Sequence, residues 1–339
     1  MKIKPRCTYC LLSRIHHQCD LVTNDADLIS NVMKECISTL NDEYDPSRTS
    51  THIGTAVHRR FFEVIGNDDP YKEVKEANNQ TALELLPSVQ KKIFGTNEDG
   101  GAYTIESSPQ PLEESFEKAV LAAVIGNYFD FGVLGLDASD DGFKLKFDFY
   151  FEQGLNINDT KEMMNLLQKV VYITDNCGEI VYDREVLKVI KHIQKLQYES
   201  EKAEADAKAK ANAKANANAE TKTPDAISPE LILVVRGAPI LTDATMKDAE
   251  ELDMATIADQ ILTTGSNAIG IILDEAPPET LEAMKSATLI ISKGMANFES
   301  LSDEKNLRPI AFLLRTKCDV VAEELGLELG KSVAKLEME

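Results

Sequence analysis

Three apolar runs in this 339-residue chain stop on side chains that can do chemistry. Val170-Val171-Tyr172-Ile173-Thr174 ends at Asp175-Asn176, with Gly178 and Glu179 just beyond. Leu231-Ile232-Leu233-Val234-Val235 ends at Arg236-Gly237, and Thr242-Asp243-Ala244-Thr245 follows. Thr288-Leu289-Ile290-Ile291 ends at Ser292-Lys293-Gly294, with Asn297 one helical turn on. Carboxylate and amide oxygens are hard donors, suited to Mg²⁺ or Mn²⁺ rather than zinc. If the three ends share one edge of a sheet, two carboxylates, an amide oxygen and an ammonium occupy a small volume. A divalent ion would offset the carboxylates. Each residue alone has a plainer reading. Asp175 or Asp243 can cap a helix, Asn176 can serve a turn, and Lys293 can be a surface charge. Their joint appearance at strand ends points to a metal or phosphate site.

The elements that must hold these residues follow from the pattern. Near-continuous apolar runs separated by helices imply a mostly parallel sheet covered on both faces. Ligands of such sheets bind outside the carboxyl ends of the strands. Ala268-Ile269-Gly270-Ile271-Ile272-Leu273 reads as a third strand and Ile310-Ala311-Phe312-Leu313-Leu314 as a fifth. Helices are expected from Asp183, over Thr245 to about Leu262, from Pro278, and near Asp319. Upstream, from Asp27 to about Leu166, apolar residues recur at helical spacing, as in Leu28, Ile29, Val32, Met33, Cys36 and Ile37. Thr55 to Ile65 is another helix, ended by Gly66, and Pro70 is placed to start the next. The division expected is a helical N-terminal domain over residues 1–165 and a catalytic α/β domain over residues 166–339.

Asn127 and Asp130 follow a very apolar helix and can share a face toward a ligand, or cap the helix and begin a turn. His52 and His58 read as surface or core histidines. Cys7-Thr8-Tyr9-Cys10 can bind a soft metal or exchange thiols, completed by Cys19 or Cys36 with His16 or His17. The plainer reading is reduced thiols near a helix start. Residues from about 198 to 226 repeat Ala with Lys, Asn, Glu and Asp and, apart from Tyr198, carry nothing large to bury. They read as a solvated, partly helical insertion.

A net charge of −21 repels phosphate backbones and anionic lipid, which argues against nucleic-acid and membrane-surface partners. No apolar run approaches the roughly 20 residues of a membrane span, and no signal-peptide core follows the basic N-terminus. The expected setting is the cytoplasm, with thiols mostly reduced.

The blocks Asp175-Asn176-Cys177-Gly178-Glu179, Arg236 to Thr245 and Ser292 to Glu299 resemble the signatures of the DUF89 family, the ARMT1-like damage-control phosphatases. Cys7-x-x-Cys10, Gly66-Asn67-Asp68-Asp69-Pro70-Tyr71 and Gly126-Asn127-Tyr128-Phe129-Asp130 resemble its cysteine-containing prokaryotic branch. The insertion is the departure. The resemblance implies a Rossmann-like three-layer α/β/α domain preceded by an all-helical N-terminal domain. It implies a phosphatase acting on small phosphometabolites with a divalent metal, Mn, Mg, Co or Ni. The metal ligands it implies are Asp175, Asn176 and Asp243, and Lys293 matches a lysine facing the substrate phosphate. Glu179 is a further catalytic candidate, and Ser292, Arg236, Asn127 and Asn297 are candidates for substrate contact. Two rival readings are a nucleotide- or S-adenosylmethionine-dependent transferase and a metal or metabolite sensor without catalysis. The first would want a glycine-rich loop after the first strand, where Asp175 to Glu179 holds one glycine.

Overall fold

A computed structural model of the protein describes residues 1–127, 140–215 and 228–338. Asp130 and the end of the insertion lie outside them. The helices α1 (Pro5–Val22), α2 (Ala26–Glu43), α3 (Ser50–Ile65), α4 (Lys72–Phe94), α5 (Leu112–Gly126) and α6 (Asp140–Gln153) come first. Then follow β1 (Ile157–Asn158), α7 (Thr160–Met163), β2 (Lys169–Ile173), α8 (Glu179–Ala215), β3 (Glu230–Val235) and α9 (Met246–Glu251). The chain continues with β4 (Gln260–Thr263), α10 (Pro278–Ser286), β5 (Leu289–Lys293), α11 (Gly294–Leu301), β6 (Ile310–Arg315), α12 (Asp319–Glu324) and β7 (Ser332–Glu337). No helix among the described residues is long and apolar enough to cross a membrane.

The strands form one sheet in the order β1-β7-β6-β5-β2-β3-β4. Every neighbouring pair is parallel except β6 with β7. Successive side chains of a strand point to opposite faces, and the packing shows it. Val170, Tyr172, Leu231, Leu233, Leu289 and Ile291 pack with α5 and α8. Val171, Ile173, Ile232, Val234 and Ile290 pack with Met284, Phe298, Leu301 and Val321 of α10 to α12. This is the three-layer arrangement expected, but α5 and β1, which a boundary at residue 165 assigns to an all-helical N-terminal domain, belong to these layers. The helices α1 to α3 form their own cluster around Ile15, Val32, Val57 and Phe61, which reaches the α/β layers through Ile240 and Ile269. Gly66 closes α3 in a left-handed conformation with φ 68, as its position predicted.

Two expectations fail. Ala268 to Leu273 is not a strand; the edge strand is the half-exposed β4, Gln260–Thr263. Ile269 turns instead toward α3, its N–H donating to Thr55 Oγ1 at 3.0 Å. The helix expected over Thr245 to Leu262 is only the six residues of α9, capped by Thr245 and Asp248. Its later apolar residues serve β4. Further, α8 begins at Glu179, four residues before the expected Asp183. It carries the first part of the insertion as exposed helix.

β2 has β3 on one side and β5 on the other. The chain winds outward in one direction through β3 and β4 and in the other through β5 and β6. The carboxyl end of β2 is therefore the topological switch point, where a crevice opens in sheets of this kind.

Candidate active site at the switch point

Asp175 and Asn176 lie immediately beyond β2, at that crevice. The loop after β3 doubles back to meet them. The Ala244 N–H donates to the Asp175 carbonyl at 2.8 Å, and the Cys177 N–H to that of Thr242 at 2.8 Å. Asn176 and Asp243 pair as an isolated antiparallel bridge. Leu241 takes a left-handed backbone, φ 47, at the turn, a conformation costly for a leucine and common where a site fixes the chain. The third expected end joins through Gly294, φ 79, against whose Cα the Asp175 carboxylate rests.

Asp175, Asn176 and Asp243 thus lie together at this strand end. They floor a cleft of about 680 Å³ whose opposite wall is α1. Arg236 lies behind them, buried. Its Nε donates to Asp243 Oδ2 at 2.5 Å, its Nη1 to the Gly270 carbonyl at 2.6 Å and its Nη2 to Asn297 Oδ1 at 3.0 Å. Nη2 also stands 3.8 Å from Asp175 Oδ1. One guanidinium therefore offsets part of the charge of both carboxylates. Asn297 donates in turn to the carbonyls of Thr174 at 3.0 Å and Lys293 at 2.7 Å, tying β2 to β5.

Lys293 is the last residue of β5 and shares the face of Leu289 and Ile291. Its side chain therefore runs toward α5 and α8, not into the cleft. It is 0% exposed and ion-paired with Glu179 and with Asp183 Oδ1, the latter at 2.9 Å. It also donates to the Ala123 carbonyl at 3.1 Å. Burial depresses its basicity, but the two carboxylates outweigh that and raise its pKa. Burial likewise raises Asp183 to about 6, against the pull of Lys293. Tyr172 Oη donates to Asp183 Oδ1 at 2.7 Å.

Two amides connect this buried group to the cleft. Asn127 Nδ2 donates to Asp175 Oδ2 at 3.0 Å and to Glu179 Oε2 at 2.8 Å. Asn176 Nδ2 donates to the same two oxygens, at 2.8 Å and 3.1 Å. Asn176 Oδ1 accepts from Thr242 Oγ1 at 2.7 Å. Asn127, Asp175, Asn176 and Asp243 line the cleft; Glu179, Arg236, Ser292, Lys293 and Asn297 stand behind it. Ser292 points to the other face of the sheet from Lys293, and its hydroxyl is buried.

Cys7 and Cys10 line the cleft mouth, Cys7 half-buried with burial raising its thiol pKa. Among the described residues no three His, Cys, Asp or Glu side chains group as a metal cluster, so these thiols gain no third such ligand. Cys19 and Cys36 are buried in the α1–α3 core, and all six cysteines are free. His58 is a core residue, its Nδ1 2.8 Å from the Gly54 carbonyl oxygen.

Besides Arg6, which is ion-paired with Asp319, the cleft holds two cations that sequence reasoning missed. Lys317 lies just past β6, and its ammonium donates to the Asn127 carbonyl. Arg14 lines the wall on α1. Lys317 obeys the same rule as Asp175, a polar residue just past the carboxyl end of a parallel strand, three positions beyond the apolar run Ile310 to Leu314. Arg14 carries no signal in one sequence, because only the tertiary placement of α1 brings it here.

The fold and the site together define an α/β protein with a hard-oxygen site at the switch point of its sheet. The donor set of two carboxylates and an amide fits a hard divalent cation. A further buried amide oxygen at the same place, Asn127 Oδ1, has no hydrogen-bond partner among the described residues. A match to the damage-control phosphatase ARMT1-like domain spans residues 3–199 and 225–333, leaving out most of the insertion. The chain is 38% identical over 337 residues to a damage-control phosphatase of Archaeoglobus fulgidus, covering 99% of each chain. It is 32% identical to an uncharacterized protein of Methanocaldococcus jannaschii, covering 98% of this chain and 95% of that one. A crystal structure of a DUF89 family protein from Pyrococcus horikoshii has a similar fold, with a TM-score of 0.77, 24% identity and 99% of each chain covered. The chain belongs to the ARMT1-like damage-control phosphatase family and is a phosphatase.

Proposed function

We propose that this phosphatase hydrolyses small phosphomonoesters, sugar phosphates or related metabolites, in metabolite damage control. Asp175, Asn176 and Asp243 hold its one divalent cation. The observation that carries this reading is the convergence of these three oxygen donors on the floor of a cleft. A cation held by these residues would supply Lewis-acid polarisation of a phosphoryl oxygen and would ease ionisation of the attacking water. The chain's own residues do the rest. Arg236 holds Asp243 and Asp175 in place from behind, so their carboxylates arrive ordered. Lys317, at the cleft edge beside Asn127, offsets charge on the phosphoryl group as it transfers. Lys293 acts from behind Glu179, where its charge stabilises the carboxylate that anchors both amides. The remainder of the ester lies between α1 and the sheet edge, where Arg14 and His17 set which esters fit. The cleft's cations sit in a chain of net charge −21, so attraction of an anionic ester is local to the site. The six unpaired thiols suit a reducing compartment, and we place the enzyme in the cytoplasm.

The test is phosphate release from p-nitrophenyl phosphate and a panel of sugar phosphates by protein stripped with EDTA. Mn²⁺, Co²⁺, Ni²⁺ and Mg²⁺ are returned one at a time. Restored release that Asp243→Ala abolishes is expected, and the order of the four ions identifies the best metal. Release that persists in EDTA, or in Asp243→Ala, contradicts the assignment.

A further inference from the structure

The two amides beside Asp175 are locked in one orientation. Each NH₂ group bridges the same pair of carboxylate oxygens, Asp175 Oδ2 and Glu179 Oε2, at distances of 2.8 to 3.1 Å. Flipping either amide would set an oxygen against two carboxylates and leave two hydrogen bonds unmade, so both orientations are determined by the network. Glu179 has no freedom of its own. It is 0% exposed, with Oε1 held by Lys293, which Asp183 holds in turn. The oxygens of both amides must therefore point away from Glu179. Asn176 Oδ1 has Thr242 as one partner. Asn127 Oδ1 has none among the described residues, though Asn127 is only 1% exposed and lines the cleft. A buried amide oxygen without a partner is costly, and a cation supplies what is missing.

We propose that Asn127 contributes Oδ1 as a fourth protein oxygen to the cation site, and that Glu179 is the positioning residue that aims it. The inference rests on the reading that Asp175, Asn176 and Asp243 hold the cation. It gives Glu179 a role that needs no contact with substrate or water. It also explains why an acid so near the site is buried and paired on both oxygens instead of facing the cleft.

The test is Mn²⁺ titration of the full chain by calorimetry, with no phosphate ester present. Asn127→Ala removes both the oxygen and the clamp, and weakens Mn²⁺ binding about 10- to 100-fold, the usual effect of losing a group that supports a metal site. An ionised Asn127→Asp cannot donate to either carboxylate, but keeps an oxygen where Asn127 Oδ1 stands. It binds Mn²⁺ at least as tightly as the wild type while melting lower without metal. Glu179→Gln, which keeps Asn127 but places an NH₂ where an acceptor is needed, weakens Mn²⁺ binding in the same direction as Asn127→Ala. Unchanged Mn²⁺ affinity in Asn127→Ala, or Asn127→Asp binding more weakly than Asn127→Ala, overturns the inference. If wild type and Asp243→Ala bind Mn²⁺ alike, the cation reading itself fails, and that result is distinct.

Discussion

A Cβ added to Gly294 would collide with the Asp175 carboxylate. The first residue after β5 is thus packed directly on the first acid after β2, and a glycine is what allows the two strand ends to meet. Its φ of 79 is also one that L side chains rarely adopt. Gly294→Ala must displace the Asp175 carboxylate, and a shift of about 1 Å at a reacting centre can cost on the order of 100-fold in rate. We expect that loss in metal-dependent turnover. Gly326 is the control. It shares a left-handed φ of 67 but has nothing within 4 Å of an added Cβ. Gly326→Ala should cost only the backbone strain, about 1 kcal/mol, with activity intact. Assaying turnover and urea unfolding on both variants checks the contrast.

Lys293 and Lys317 separate a structural cation from a functional one. Lys293→Met strands the buried Glu179 and Asp183 carboxylates, and removing one partner of a buried pair costs about 3–5 kcal/mol. Urea unfolding should show that loss, together with weaker Mn²⁺ binding as the amides lose their anchor. Lys317 sits at the cleft edge with its ammonium on the Asn127 carbonyl. Lys317→Met should leave the unfolding midpoint close to wild type and lower kcat/KM for a phosphate ester by about 100- to 1,000-fold, as loss of one preorganised donor does elsewhere. Equal stability losses in the two variants would contradict the distinction.

His58 gives the fold a pH dependence of definite sign. Burial holds its pKa down, from 6.5 to about 4. The unfolded chain takes up the proton first, so the stabilisation is fully present above pH 6.5 and is lost as the pH falls through about 4. The full difference corresponds to roughly 3 kcal/mol. Urea midpoints at pH 7, 5.5 and 4 should show the gap between wild type and His58→Gln narrowing as the pH falls. A gap independent of pH would rule this out.

The insertion should be dispensable for catalysis. Gln194 Nε2 donates to the carbonyls of Leu167 at 2.7 Å and Glu230 at 3.1 Å, so α8 already stands beside the start of β3 well before the insertion. A short Gly/Ser linker can therefore replace residues 200–224, the span the family match leaves out. Turnover of p-nitrophenyl phosphate by the shortened protein should equal that of the full chain; a loss would give the insertion a part in the site.

The strand ends that make the site were readable because buried parallel strands write themselves as unbroken apolar runs. Val170 to Ile173, Leu231 to Val235 and Leu289 to Ile291 could not be much else. β4 was not readable. Gln260 to Thr263 is short and half-exposed at the sheet edge, while the more apolar Ala268 to Leu273 packs against α3 and α11 as loop. Local hydrophobicity favoured the wrong segment. Within the site, residue type located Asp175, Asn176 and Asp243 but not the direction of Lys293. That depends on the parity of β5 and on where Glu179 and Asp183 fall on α8, relations between elements that one strand's sequence does not carry. The thiols of Cys7 and Cys10 mark the cleft mouth, and the described residues give them no third ligand of the kind a zinc site needs.

The most direct measurement is a crystal of the protein grown with Mn²⁺ and examined for anomalous scattering. One strong peak is expected, bounded by oxygens of Asp175, Asn176 and Asp243, with the Asn127 amide oxygen beside it. A peak at the Cys7 and Cys10 thiols, or elsewhere with these four side chains left without a cation, would contradict it.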